Sequence, residues 1–218
     1  MAVTVVGTPT SGGDFSVASI TFSNTASGNG LFVGVVATDG GSNTYTATFN
    51  GDGMTQKWTQ QETGAGTCRS VGFIMVAPDA GAYNVVVTAS GSVTMIWGGA
   101  VGLDGLDQTT PTRTVYKVAD KTVTVVDSVS GDLIIDTCGT YNSTIAVGAG
   151  QTSRAEEDAF GEGSISMGIS TESAVGANTV MSWTGGTYSA IGAMALIAAA
   201  AGGSIVPQAM MYYAKLRK

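Results

Sequence analysis

Histidine is absent from all 218 residues. That removes the usual general acid/base and the commonest metal ligand near neutral pH, and with it Ser-His-Asp triads, Cys-His dyads and ordinary zinc sites. Carboxylates are the groups left for acid/base work, and the densest cluster is Glu156-Glu157-Asp158 with Glu162. Adjacent acids in one run point in different directions, and these sit beside Arg154 and the Gly161-Glu162-Gly163 run. A solvated acidic loop is expected there rather than a paired-carboxylate site. Asp104 and Asp107 offer oxygen ligands to a hard cation, but their spacing is not that of a calcium loop, so a turn role is expected. Asn50-Gly51-Asp52-Gly53 reads as a hairpin tip.

Gly64-Ala65-Gly66 and Gly148-Ala149-Gly150 lack the Lys-Ser/Thr sequel of a phosphate loop, so they read as turn glycines. Cys68 and Cys138 have no Cys-x-x-Cys spacing and lie in strand-like runs, where buried free thiols are expected, with a cross-strand disulfide between them as the alternative. No catalytic residue, metal ligand or cofactor is therefore predicted. The residues suited to a carbohydrate face are the tryptophans, because an indole stacks on the apolar face of a sugar. Trp97 and Trp183 lie in hydrophobic runs and read as core. Trp58, in a polar stretch with Gln60 and Gln61, is the possible glycan contact.

The elements that would position these groups are strands. Alternating patterns recur at 2–6, 17–22, 31–38, 45–49 and 85–89, separated by turn-formers at 27–30, 39–43, 50–53, 77–81, 90–92, 130–132 and 185–187. With no capped amphipathic helix before residue 204, the expectation is an all-β chain, a jelly-roll-like antiparallel β-sandwich. One body over 1–203 is expected, and its size is ordinary for such a fold. The apolar run from Ile191 to Ala201 is too short for a bilayer helix and reads as a buried strand.

An internal echo divides that body. Gly81 and Gly176, Gly91 and Gly186, and Gln56 and Gln151 share an offset of 95, while Ser27-Gly-Asn-Gly-Leu-Phe and Ser130-Gly-Asp-Leu-Ile-Ile differ by 102 or 103. Two readings stand: a duplication with its half boundary near 104–113, or the chance self-likeness of a glycine-rich β protein.

Residues 204–218 differ in kind. They hold three of the nine basic residues and none of the sixteen acids, which leaves the body at −10 and the segment at +3. A C-terminal assembly arm is expected, with Met210, Met211, Tyr212, Tyr213 and Leu216 as apolar anchors and Lys215, Arg217 and Lys218 as its charges. The acidic body disfavours nucleic acid and anionic membrane as partners. The opening residues carry neither a basic stretch nor an apolar run of signal-peptide length, so manufacture inside a cell is expected.

Three segments carry a resemblance: Thr48-Phe-Asn-Gly-Asp-Gly-Met-Thr-Gln56, Phe73-Ile-Met-Val-Ala-Pro-Asp-Ala-Gly-Ala-Tyr-Asn-Val-Val-Val87 and Gly99-Ala-Val-Gly-Leu-Asp-Gly-Leu-Asp-Gln-Thr-Thr-Pro111. Together with Gly131-Asp-Leu-Ile-Ile135 and Gly148-Ala-Gly-Gln151, they resemble phage-type and environmental β-sandwich proteins of virions and surfaces. The resemblance spans about 17–200 and rests on turns and strands. It implies a jelly-roll-like architecture and a structural role, and it supplies no catalytic residue. The function expected is a non-enzymatic virion component made in the host cytoplasm. It would be a capsid decoration or shell protein, homo-oligomeric, docking through its arm to the major capsid or another shell protein. The alternative is a carbohydrate-binding module of a tail fibre or cell-surface protein.

Overall fold

The computed structural model describes residues 2–62, 64, 68–158, 164–186 and 188–200. These form strands and no helix. The C-terminal arm and Glu162 lie outside the described residues.

In the first half, β1 (Thr4–Ala26) pairs along its length with β7 (Gly81–Asp104), and this ribbon bends from one sheet into another. Its outer part joins β3 (Tyr45–Phe49) and the two-residue β4 (Asp52–Gly53). Its inner part joins β2 (Gly30–Thr38), β6 (Cys68–Val76) and β5 (Thr55–Gln61), in the order β5-β6-β2-β7-β1. In the second half, β12 (Thr152–Glu157), β13 (Ile165–Ser173), β10 (Leu133–Tyr141), β15 (Tyr188–Leu196) and β8 (Thr112–Val118) form a five-stranded sheet in that order. A three-stranded sheet, β11 (Ala146–Val147), β14 (Thr179–Thr184) and β9 (Thr122–Val125), covers its outer face.

The two strand orders are the same. β8 and β9 stand for the two parts of β1, β10 for β2, β11 for β3, β12 for β5, β13 for β6, and β14 and β15 for the two parts of β7. Register agrees residue by residue: Val33 pairs with Phe73 and Ala100, and Asp136 pairs with Ser170 and Ala193 at the corresponding places. Even a β-bulge repeats. It falls at Lys57, between Gln56 and Trp58, and at Arg154, between Ser153 and Ala155. Bulges are specific features rather than generic ones, so their coincidence separates duplication from chance likeness. The register pairs Gln56 with Ser153, which corrects the uniform offset of 95 that paired it with Gln151.

The halves stack through their five-stranded sheets, giving four layers. One apolar core lies inside the first sandwich around Val33, Phe49, Phe73 and Val87, and another inside the second around Ile134, Met181 and Ile191. A third fills the seam between them, with Phe32, Trp58, Val101, Ile135, Ile169 and Met194. β2 is therefore buried on both faces, as is nearly all of β10, which is why they read as apolar runs rather than clean alternation. The break expected at 90–92 is absent, because β7 runs on through Ser90-Gly-Ser92 as it bends between sheets.

A pseudo-two-fold axis runs along β2 and β10, so β5 faces β8 and β12 faces β1. Equivalent residues meet across it, and they are of unequal size. A Cβ built at Gly139 would run into its counterpart Val36, and one built at Gly34 into its counterpart Thr137. We predict that Gly139→Ala destabilises the chain by about 1–3 kcal/mol through overpacking. Adding Val36→Ala recovers part of that loss, read as a coupling energy in urea denaturation. Additive losses would contradict this packing.

Candidate functional site

Trp58 is only 2% exposed. The shared bulge turns its side chain into the seam, where the ring lies over Gly72 of its own half and Gly192 of the other. At the related position, Ala155 and Ile169 fill the space over Gly99 instead. The indole N–H donates to Ser70 Oγ at 3.2 Å, and Ser70 Oγ donates across the seam to the Thr137 carbonyl at 2.8 Å. Gln60 Nε2 donates to the Gln61 carbonyl, and Gln61 Oε1 accepts from Arg69 at 2.8 Å. The expected glycan contact is thus corrected: Trp58 has no open face for a sugar, and the amide of Gln61 is committed to a buried network. Trp58 instead keys the two halves together, while Gln60 and Gln61 bond apart from it.

Trp183 is core, as expected, and its N–H reaches Asp136. Trp97 is half-buried at the seam's edge, where Phe15 meets it edge-on at 6.3 Å. Both cysteines are free and buried, and burial pushes both thiols upward.

Among the described residues, the acids of the 156–158 run do not converge. Glu156 and Glu157 alternate on β12, Glu157 accepts from Ser11 Oγ, and Asp158 accepts from the Ile145 N–H at 3.1 Å. Asp107 caps a turn by accepting from the N–H groups of Thr109 and Thr110, which hold its carboxyl below the ordinary range. Asn50 and Gly51, both at positive φ, make the expected hairpin tip. A cleft of about 210 Å³ beside it is lined by Asp52, Ala77, Pro78 and Asp79, and Asn50 donates to Asp79. Among the described residues, no group of three His, Cys, Asp or Glu side chains is placed to hold a metal ion.

Two buried polar networks were not singled out by sequence reasoning. Arg69 pairs with Asp39 at 3.0 Å, and its other nitrogens donate to Thr59 and Gln61. Tyr45 and the Gly41 N–H complete the shell around Asp39, as a buried ion pair requires. Asp136 is fully buried and accepts from the Ser170 N–H at 2.9 Å, Ser170 Oγ at 2.8 Å and Trp183 Nε1 at 2.9 Å. The signal was a lone charge inside an apolar strand, Arg69 in 68–76 and Asp136 in 133–141. Periodicity alone does not distinguish such a residue from an exposed one.

The described surface also presents a group of apolar side chains. Val175 is 93% exposed, and Val126, Val129 and Val180 are about half exposed. They cluster at one end of the second sandwich's outer sheet, where Ser128 Oγ, buried, ties the Val125 and Gly176 carbonyls together. The matching face of the first sandwich shows Ser19, Thr21, Ser23, Asn84 and Thr88. Compared with protein-family models, curated proteins and solved structures, the chain matches none.

Two outcomes follow. Trp58→Ala should lower stability by about 3–5 kcal/mol, as large cavities do, shown by a fall in urea midpoint; an unchanged midpoint contradicts its role in the seam. Burial pushes Asp136 up to about 7, from 3.8, against the opposing hydrogen bonds of Trp183 and Ser170 and with the help of nearby Glu172. Between those values the folded chain binds more protons than the unfolded one. This group's contribution to stability therefore falls as pH rises through that window and is level above it. Asp136→Asn should flatten the fall in urea midpoint with pH; parallel curves for the two chains would refute the assignment.

Proposed function

We propose that this chain is a non-enzymatic structural component of a virion, a capsid decoration or other shell protein that docks to neighbouring subunits through residues 204–218. The observation that carries the reading is the division of labour along the chain. Two sandwiches are locked face to face into one block, with Trp58, Trp183 and the Arg69–Asp39 pair committed to internal contacts. The basic, Met- and Tyr-rich segment follows at the end. In each half the first strand segment pairs with the last, the second with the last but one, and the third with the sixth (β1 with β7, β2 with β6; β8 with β15, β9 with β14, β10 with β13). That nesting supports a jelly-roll-like reading in three of the four pairs of a rolled ribbon, while the fifth segment pairs with the sixth in each half; jelly rolls serve in viral capsid and lectin domains. Partners of this reading are the shell protein and further copies of the chain. Repetition over a lattice multiplies weak arm contacts into firm attachment.

The second reading, a carbohydrate-binding module, keeps one observation: Phe15 is 54% exposed beside Trp97. Its test is glycan binding that Phe15→Ala abolishes.

The shell reading is tested by adding purified chain to particles stripped of it. The full chain is expected to bind and to weaken as salt rises, since the three basic charges of 204–218 are screened. A chain ending at residue 203 should lose at least tenfold in affinity. Undiminished binding by the shortened chain, or no binding by the full one, contradicts the proposal.

A further inference from the structure

We propose that the valine-lined end of the second sandwich is the seat for the C-terminal arm of a second copy of this chain, exchanged reciprocally in a two-fold dimer. The inference rests on the arm's docking role and names its receptor. An exposed cluster of Val126, Val129, Val175 and Val180 is an apolar patch on an otherwise polar, acidic body, and such patches mark interaction surfaces. β9, the strand beside it, hydrogen-bonds only β14 among the described strands, so one side of its backbone is open. Next to Val126, Asp127 uses Oδ2 to accept the Thr114 N–H, while its buried Oδ1 has no partner among the described residues. The seat thus offers apolar surface and a strand edge on an acidic body.

The arm matches each of these. Met210, Met211, Tyr212 and Tyr213 are apolar anchors, and Lys215, Arg217 and Lys218 bring +3 to a body of −10. The occupant's origin follows from where the described chain ends. β15 finishes at Leu196, beside Leu133 of β10 and so at the same end as Val129 and Val175. The Ile197 N–H then donates to Pro111, Ala198 bridges Leu106, and the Ala199 N–H donates to Gly105. These bonds lead the chain into the seam between the sandwiches, away from the outer valines. To reach its own seat the arm would have to double back around the end of the sandwich. Because the arm's root and the seat share one end of the molecule, two copies meeting end to end about a two-fold each receive the other's arm, and the contact closes.

The test is the solution mass of the full chain by light scattering at micromolar concentration. The full chain should weigh twice the 21.8 kDa of one chain. Removal of 204–218 should give monomer, and so should Val175→Asp with Val180→Asp, which alter exposed side chains only. Mixing the armless chain with the double variant should restore a dimer, since one supplies the seat and the other the arm. A monomeric full chain overturns the proposal, as does a dimer that survives either change. If the full chain is monomeric yet still binds particles through its arm, the seat is wrong and the docking role stands. If the dimer forms but particles do not bind, the seat stands and the shell reading falls.

Discussion

The rest of the molecule depends on how two like surfaces fit when they face each other across a pseudo-two-fold. Identical residues on such an axis meet themselves, so bulky pairs would clash and small pairs would leave voids. This chain resolves the conflict by divergence: Val36 stands against Gly139, Thr137 against Gly34, and Trp58 lies over Gly72 and Gly192 where the related corner has Ile169 and Ala155. Close packing rewards such complementarity and penalises a mismatch of even one methylene. The consequence is a single block in which each half needs the other's particular side chains.

That constraint also decides where chemistry-bearing residues end up. With both five-stranded sheets covered on two faces, polar side chains on β2, β6, β10 and β13 are drawn inside, where Thr38 Oγ1 and Thr137 Oγ1 have no partner among the described residues. Arg69 and Asp39 find partners at the end of the first sandwich, and Asp136, Ser170, Gln151 and Trp183 do so inside the second. Asp136 and Ser170 occupy the places that Val33 and Phe73 fill in the first half. One core is apolar at that point and the other is hydrogen-bonded. These partners commit Arg69, Asp39 and Asp136 to internal contacts.

The all-β class, the strand-and-turn layout and the hairpin at Asn50-Gly51 were legible because alternation and turn chemistry are local. The doubling was half legible. Its matched segments were visible, but the offset drifts among strands with loop length, and only pairing partners reveal that Lys57 and Arg154 occupy the same bulge. Trp58 was misread for a related reason. Lys57, Thr59 and Gln60 made its stretch look solvated, whereas the bulge and a sheet from the other half bury the ring, and neither leaves a local trace. The exposure of Val175 and Val180 was equally hidden, since an outer-sheet valine and a core valine look alike in sequence.

The central claim is that this double sandwich is a repeated building block rather than a catalyst. The most direct measurement is its copy number, by quantitative mass spectrometry, in particles purified from its source. The account predicts a fixed stoichiometric ratio to the most abundant shell protein across preparations. A trace amount, or a ratio that varies from one preparation to the next, would contradict it.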